Sequence, residues 1–248
     1  MGTTYTVEQS GALALLDSLA TPTPVAVVVG PSGQILSAAA RGDFDVVLTH
    51  APSLEHRLLV AAGLVRRVCP FATSRFAVVG PPGDPAGVAQ AQRAAEAFGR
   101  IARARATFVS RGDSSGTHVK ELELWRTAGI TPDRPWYVES GADQTTTLHV
   151  ADERGNAYAL ADLPTFARLP GLRLQVLFTA DTVLVNRYTL YVMRSGPGAA
   201  HPAGDAFGSW ALATWRPRVL ALRLPAPNDG PAFEAGADTE CASATAPP

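Results

Sequence analysis

The chain has 248 residues, 46% hydrophobic and 17% charged, with 21 Lys and Arg against 22 Asp and Glu. That length can bury a sizeable core in one or two domains, and the net charge of -1 exerts no overall pull on nucleic acid or anionic lipid. No apolar run is long enough for a membrane span, no Cys-x-x-Cys or His-x-x-x-His spacing marks a zinc site, and no Lys/Arg stripe alternates with aromatics.

At the N-terminus, Met1-Gly2-Thr3-Thr4 lacks the basic and apolar regions of a secretory signal. Two expectations follow, a cytoplasmic protein or a mature chain whose leader has been removed. Apolar runs predict strands over residues 3–7, 25–29, 44–50, 76–79, 107–110, 136–138, 156–160, 172–178 and 188–193. Between them, patterns of helical period predict helices over 11–20, 34–41, 53–62, 85–105, 116–128, 144–153, 163–168 and 204–222. Strands alternating with helices of this length indicate an α/β fold with largely parallel sheets. The run Val27-Val28-Val29 suits a strand buried on both faces.

Pro81-Pro82-Gly83-Asp84-Pro85 reads as a boundary between two lobes, with Phe76–Gly80 crossing it and Asn186-Arg187-Tyr188 returning. The expected organisation is a discontinuous first lobe of residues 1–79 and 188–235, a second lobe of 80–187, and a mobile tail over 236–248, where periodicity is lost. Cys69 follows an apolar stretch and reads as a buried thiol; Cys241 sits in an Ala/Thr/Ser/Pro tail and reads as exposed. Two cysteines permit one disulfide, but nothing local supports it.

The segment richest in chemistry is Val109-Ser110-Arg111-Gly112-Asp113-Ser114-Ser115-Gly116-Thr117-His118. It follows an apolar run and precedes a convincing helix, so it reads as strand, hydroxyl-rich loop and helix N-terminus. Such a junction suits an anion, because unpaired backbone N–H groups and the positive end of the helix dipole meet there. Arg111 adds a permanent charge with a planar fork of donors. Ser114, Ser115 and Thr117 add hydroxyls, and Asp113 is a cap or a partner for Arg111. Ordinary capping explains the same residues equally well. Two further junctions share the design, Thr6 to Gly11 with Ser10-Gly11 at the cap, and Gly30-Pro31-Ser32-Gly33. The three are expected to converge on one small anion beyond the strand C-termini.

The block from Ser110 to His118, followed by Lys120-Glu121 and Leu124-Trp125, resembles the tungstate-binding proteins of bacterial ABC transporters. Asp45 to Pro52, which ends His50-Ala51-Pro52, resembles a segment of that family. Asp84 to Gly87, Trp136 to Gly141, Thr147-Leu148, Asn186 and Tyr188 follow in the same order. The resemblance covers residues 3–195. It implies a type II periplasmic-binding-protein fold of two α/β lobes with a hinge and a central ligand cleft. It further implies a tetrahedral oxyanion, tungstate or molybdate, bound by Arg111, Thr117, Ser115, Thr6, Ser32, Ser10, Gly116 and Thr146. No catalytic residue, cofactor or protein-held metal is implied. The expected partners are the oxyanion and the membrane subunit of an ABC importer, with a monomeric protein in the periplasm or outside the cell.

Four features depart from the family pattern. Tyr5 interrupts the Thr run, Thr6 stands where a serine is expected, Pro31 removes one donor N–H, and Asp143 stands before Thr145-Thr146 where an anion would be repelled. They leave two alternatives, the same fold repurposed for another small anion or organic ligand, or an intracellular sensor domain. Catalysis is disfavoured, since Ser114-Ser115-Gly116 is not the Gly-x-Ser-x-Gly elbow of a hydrolase. His50 and His118 read as structural histidines, and the four tryptophans as packing.

Overall fold

The computed structural model describes residues 1–194, 202–226, 228–236 and 240–243. The chain forms two compact units, one of Met1–Ser74 with Arg187–Pro248 and one of Arg75–Asn186. It passes from the first to the second within one long strand and returns within another.

In the first unit, β1 (Gly2–Thr4) leads into the single helical turn α1 (Tyr5–Gln9) and then α2 (Ala12–Asp17). They are followed by β2 (Val28–Gly30), α3 (Ser32–Ala40), β3 (Val46–Thr49) and α4 (Pro52–Glu55), which continues as a π-helical turn over His56–Val60. The outgoing strand is β4 (Val65–Gly80). Only Phe76–Val79 of it was legible, because Arg66-Arg67, Pro70 and Arg75 interrupt the apolar pattern. Up to Ala77 the strand is buried mainly on alternate residues, which suits a half-buried strand.

The second unit contains α5 (Ala94–Arg103), β5 (Phe108–Ser110), α6 (Gly116–Thr127), β6 (Tyr137–Glu139), α7 (Gln144–Glu153), β7 (Ala159–Asp162), α8 (Leu163–Ala167) and β8 (Gln175–Phe178). The helix expected over 85–105 starts only at Ala94, since Asp84 accepts the amides of Val88 and Ala89 and fixes a short 3-10 turn before it. The sheet runs β8-β4-β7-β5-β6, with β5 joined to β7 through Phe108 and Tyr158. Strands β4 (from Phe76 on), β5 and β7 alternate between two cores. Phe76, Val78, Phe108 and Leu160 face a core built on Phe98, Trp125 and Trp136. Ala77, Val79, Val109, Ala159 and Ala161 face the opposite core with Leu148 and Phe166. Helices therefore cover both faces, and the C-terminal end of β5, at Ser110, opens into the loop that leads to α6, the kind of strand end where ligands of open α/β sheets sit.

The returning strand is β9 (Val185–Met193), followed by α9 (Pro202–Trp210), a π-helical turn, α10 (Arg216–Leu220), β10 (Arg223–Leu224), β11 (Gly230–Pro231) and β12 (Ala242–Ser243). The first unit's sheet has the order β12-β4-β9-β3-β1-β2. Among the pairings whose register is described, β1–β2, β1–β3, β5–β6 and the bridge from Phe108 of β5 to Tyr158, just before β7, are parallel; β3–β9, β4–β7, β4–β8, β12–β4 and β10–β11 are antiparallel. The expectation of largely parallel sheets is corrected accordingly. A strand that leaves a unit and one that returns to it enter its sheet against the direction of the βα repeats.

The cysteines are corrected as well. Cys69 of β4 and Cys241 form a disulfide across 172 residues of sequence. Beside it Ala242 and Ser243 pair with Val68 and Arg67, so this part of the expected mobile tail is tied to the sheet. Residues 237–239 and 244–248 of that tail lie outside the described residues.

Candidate functional site

The Ser110–His118 block folds as a strand end, a tight loop and a helix start. Ser115 is the N-cap of α6, and its hydroxyl accepts the His118 amide at 3.2 Å. Asp113 accepts the Ser115 amide at 3.1 Å through one carboxylate oxygen and binds Arg111 Nη2 through the other. Arg111 is only 2% exposed, and its Nε reaches the Ala142 carbonyl at 3.4 Å. The permanent cation is thus buried, held by a carboxylate and tied to the loop before α7. Gly112 has φ +62°, and a Cβ there would lie 2.8 Å from Glu139 Cβ, so the backbone requires glycine. Its amide donates to Ser110 Oγ at 3.2 Å. The amide of Ser114, also left-handed at φ 61°, donates to His118 Nδ1 at 3.1 Å. Burial holds His118 below the usual imidazole value, which keeps Nδ1 an acceptor.

Thr117, the second residue of α6, differs from its neighbours. It is 1% exposed, and its hydroxyl has no hydrogen-bond partner among the described residues. An unpaired buried hydroxyl costs about 1–3 kcal/mol. It sits in the first helical turn, where the helix supplies no acceptors to the amides and the dipole is positive.

Under this loop lies a group that the sequence reading passed over. Glu121, four residues beyond Thr117 on α6, is buried and accepts from Ser110 Oγ (2.7 Å), Tyr137 OH (2.7 Å) and Trp125 Nε1 (3.2 Å). Burial pushes its carboxyl up to about 7, against the opposing pull of those hydrogen bonds. The spacing from Thr117, which places both residues on one helix face, was the signal available in the sequence.

The remaining second-unit candidate, Thr146, is exposed on the first turn of α7. Its amide is capped by Asp143 Oδ1 at 2.8 Å. Asp143 therefore serves as a helix cap. Its neighbour Thr147 is the buried one, with its hydroxyl shared between Ser140 Oγ at 2.8 Å and the Asp143 carbonyl at 2.7 Å. Ser140 Oγ also donates to the Arg111 carbonyl at 3.3 Å.

In the first unit, the junction expected to begin a helix at Ser10-Gly11 is corrected. The strand ends at Thr4, and α1 already occupies Tyr5–Gln9, so Ser10 follows a helix end. Its hydroxyl donates to the Val7 carbonyl at 3.2 Å, and Gly11 at φ 83° separates the two short helices. The hydroxyls at the start of α1 are those of Thr4 and Thr6. They share a bond of 2.9 Å, and Thr6 Oγ1 meets His50 Nε2 at 2.7 Å. The His50 ring stacks on Tyr188, with centroids 5.1 Å apart. Tyr5 is half-buried at the first position of α1. Ser32 is the buried first residue of α3. Pro31 occupies the N-cap, where its carbonyl accepts the amides of Gln34 and Ile35. Among the described residues, no cluster of three His, Cys, Asp or Glu side chains suits a metal ion, and no helix is long and apolar enough to cross a membrane.

Two α/β units, a chain that crosses between them twice, and a hydroxyl-rich helix N-terminus beside a buried arginine define a class of small-ligand binding proteins. Residues 1–214 match the family model of the PBP superfamily domain, and the chain belongs to that family. Among sequence relatives, the tungstate-binding protein TupA of Peptoclostridium acidaminophilum is 37% identical over 166 residues, which are 65% of this chain and 57% of that protein. Among solved structures, the tungstate ABC transporter protein from Geobacter sulfurreducens is 35% identical, with a TM-score of 0.72 over 85% of this chain and 92% of that one. The tungstate-binding protein TupA from Desulfovibrio alaskensis G20 is 29% identical, with a TM-score of 0.75 over 96% of this chain and 98% of that one. The matched stretches take in between 39% and 57% of the curated relatives' own lengths. These relatives are of the kind that the Ser110–His118 block resembles.

Proposed function

We propose that this protein is a solute-binding protein that captures a tetrahedral oxyanion, tungstate or molybdate, and delivers it to the membrane subunit of an ABC importer. The observation that carries the reading is the Thr117 hydroxyl, buried without a partner among the described residues on the first turn of α6, four residues after Asp113 of the Arg111–Asp113 pair. A buried donor with no acceptor from the chain is satisfied by an acceptor from outside, and an oxyanion offers several. Each such bond is charge-assisted, so neutral donors suffice.

The protein performs no chemistry on the ligand. Thr117 and the N-terminal turn of α6 donate, Ser115 fixes that turn, and Arg111 supplies the permanent charge. Thr6 and Ser32 are proposed as further donors from the first unit; Ser10 and Thr146 are the weakest members of the set, given the bonds just described. Both oxygens of Asp113 are occupied by Arg111 and the Ser115 amide. Partly protonated phosphate, which needs an acceptor, is therefore disfavoured. Sulfate is separated from tungstate by size. A disulfide between Cys69 and Cys241 supports work in an oxidising compartment, the periplasm or the cell exterior. A monomer suffices for this role.

The test is thermal unfolding with tungstate, molybdate, sulfate, phosphate and chromate, followed by calorimetry on each hit. A ligand at 100 times its Kd stabilises by about 2.7 kcal/mol. A shift confined to tungstate and molybdate, and reduced in Thr117→Val, supports the reading. No shift with any tetrahedral anion refutes it.

A further inference from the structure

We infer that Glu121 is a positioning residue that couples anion capture to a proton, its neutral form favouring the bound anion and its carboxylate opposing it. The inference rests on the oxyanion reading and adds a second variable, pH, to the same site.

The geometry is a short hydrogen-bonded column. Ser110 Oγ donates to Glu121 Oε2 at 2.7 Å and accepts the Gly112 amide at 3.2 Å. One hydroxyl therefore links the buried carboxyl to the turn that carries Arg111. Tyr137 OH and Trp125 Nε1 both donate to Oε1. Glu121 and Thr117 are four residues apart on α6, which puts their Cβ atoms roughly 5–6 Å apart. The carboxyl thus lies directly under the helix N-terminus where the anion is placed, in surroundings too buried for effective screening. A carboxylate there repels a dianion, and a carboxylic acid does not.

The groups facing Glu121 leave it as the variable charge. From β6, Tyr137 and Glu139 are the titratable neighbours, and Glu139 adds like charge. Tyr137 is itself pushed up by burial and by Glu121, so it stays a neutral donor. From β5 the neighbour is Ser110, and α5 meets this part of α6 through Phe98 against Trp125. Burial, the three hydrogen-bond donors and Glu139 are the largest influences on the carboxyl, and the nearby buried cation, Arg111, is paired with Asp113. Its transition, placed near neutrality by burial, falls where a modest pH change alters its charge.

Proton and anion are then linked reciprocally, so the anion raises the proton affinity of Glu121 as the proton raises anion affinity. The experiment is titration calorimetry of tungstate into the full chain from pH 6 to 8, repeated at pH 7 in two buffers of different ionisation enthalpy. For one carboxyl titrating near neutrality, linkage gives a Kd that rises about five- to tenfold from pH 6 to 8, with uptake of about 0.4 proton per tungstate at pH 7. In Glu121→Gln, an uncharged isostere, this rise in Kd and this uptake are lost. His118 and the buried Glu55 are common to both proteins, so the difference between the two isolates Glu121. A slope undiminished in Glu121→Gln, or no proton uptake by the wild-type chain, overturns the inference while leaving oxyanion binding intact. The wild-type arm does not depend on the variant folding. Absence of tungstate heat at every pH overturns the functional reading itself, and this inference with it.

Discussion

Thr117→Val gives the sharpest prediction, because stability and binding move in opposite directions. Valine has nearly the shape of threonine and the same branching at Cβ, so helix propensity and packing change little. What is lost is a hydroxyl that is buried and unpartnered. Leaving such a group unsatisfied costs about 1–3 kcal/mol, so the ligand-free variant should be more stable than wild type by roughly 1 kcal/mol, measured by urea unfolding. For the ligand-bound protein, the same substitution removes one hydrogen bond to a charged acceptor, about 1.5–3 kcal/mol. That is roughly a 10- to 150-fold weaker Kd for tungstate by calorimetry. Thr147→Val is the control. Its hydroxyl is bonded to Ser140 and Asp143, so its loss should cost about 1 kcal/mol of stability with little effect on Kd. If Thr117→Val destabilises the free protein and leaves tungstate affinity unchanged, the hydroxyl is ordinary packing and the reasoning fails.

Three further outcomes are expected. Arg111→Lys keeps a cation near Asp113 but loses the planar fork, so tungstate affinity should fall about tenfold or more while circular dichroism stays native. Cys241→Ser opens a closure spanning 172 residues and should lower the unfolding free energy by about 2–5 kcal/mol; dithiothreitol should reproduce the loss in the wild type and add nothing in the variant. Glu121 has a folded value of about 7, raised from 4.5 by burial. The folded chain therefore holds the proton more tightly than the unfolded chain. The stability this contributes is fully present below 4.5 and is lost as pH rises through 7. Between those limits wild type should lose roughly 3 kcal/mol that Glu121→Gln keeps, measured by unfolding across pH.

The sequence was most legible where local chemistry decides structure. Apolar runs and helical periods located the βα repeats, and Ser115 before Gly116 announced the start of α6. It was less legible where tertiary partners decide. The Thr6–Ser10 segment looked like the end of a strand and a cap, yet β1 pairs with β2 and β3 only over Gly2–Thr4, and the chain turns helical where pairing stops. The length of β4 was hidden by its arginines and Pro70, because half-buried strands tolerate such residues on alternate positions. The disulfide was hidden because its two cysteines are brought together only by the pairing of β12 with β4. At the candidate site, the loop motif singled out Arg111, Ser115 and Thr117, which the fold brings together at the start of α6 as a proposed binding set. Glu121 was not, since its significance comes from Ser110 and Tyr137, which meet it from two different strands.

On the proposed oxyanion reading, the charge balance assigns discrimination to the hydroxyls of this loop. Arg111 is the permanent cation, but Asp113 offsets it within the same turn, so the pair attracts a distant anion weakly. Discrimination must then arise at contact, from donors fixed in place. The loop meets that requirement by spending nearly every flexible group on itself. Asp113 holds the Ser115 amide, Ser115 holds the His118 amide, His118 holds the Ser114 amide, and Ser110 holds the Gly112 amide. A framework closed in this way cannot rearrange cheaply around a smaller or protonated anion. The Thr117 hydroxyl stands outside that framework, buried and without a hydrogen-bond partner among the described residues, so on the proposed function its acceptor is the anion. In that proposal the surrounding bonds fix the position of the donor and Thr117 reads what is bound, two parts of one selective device.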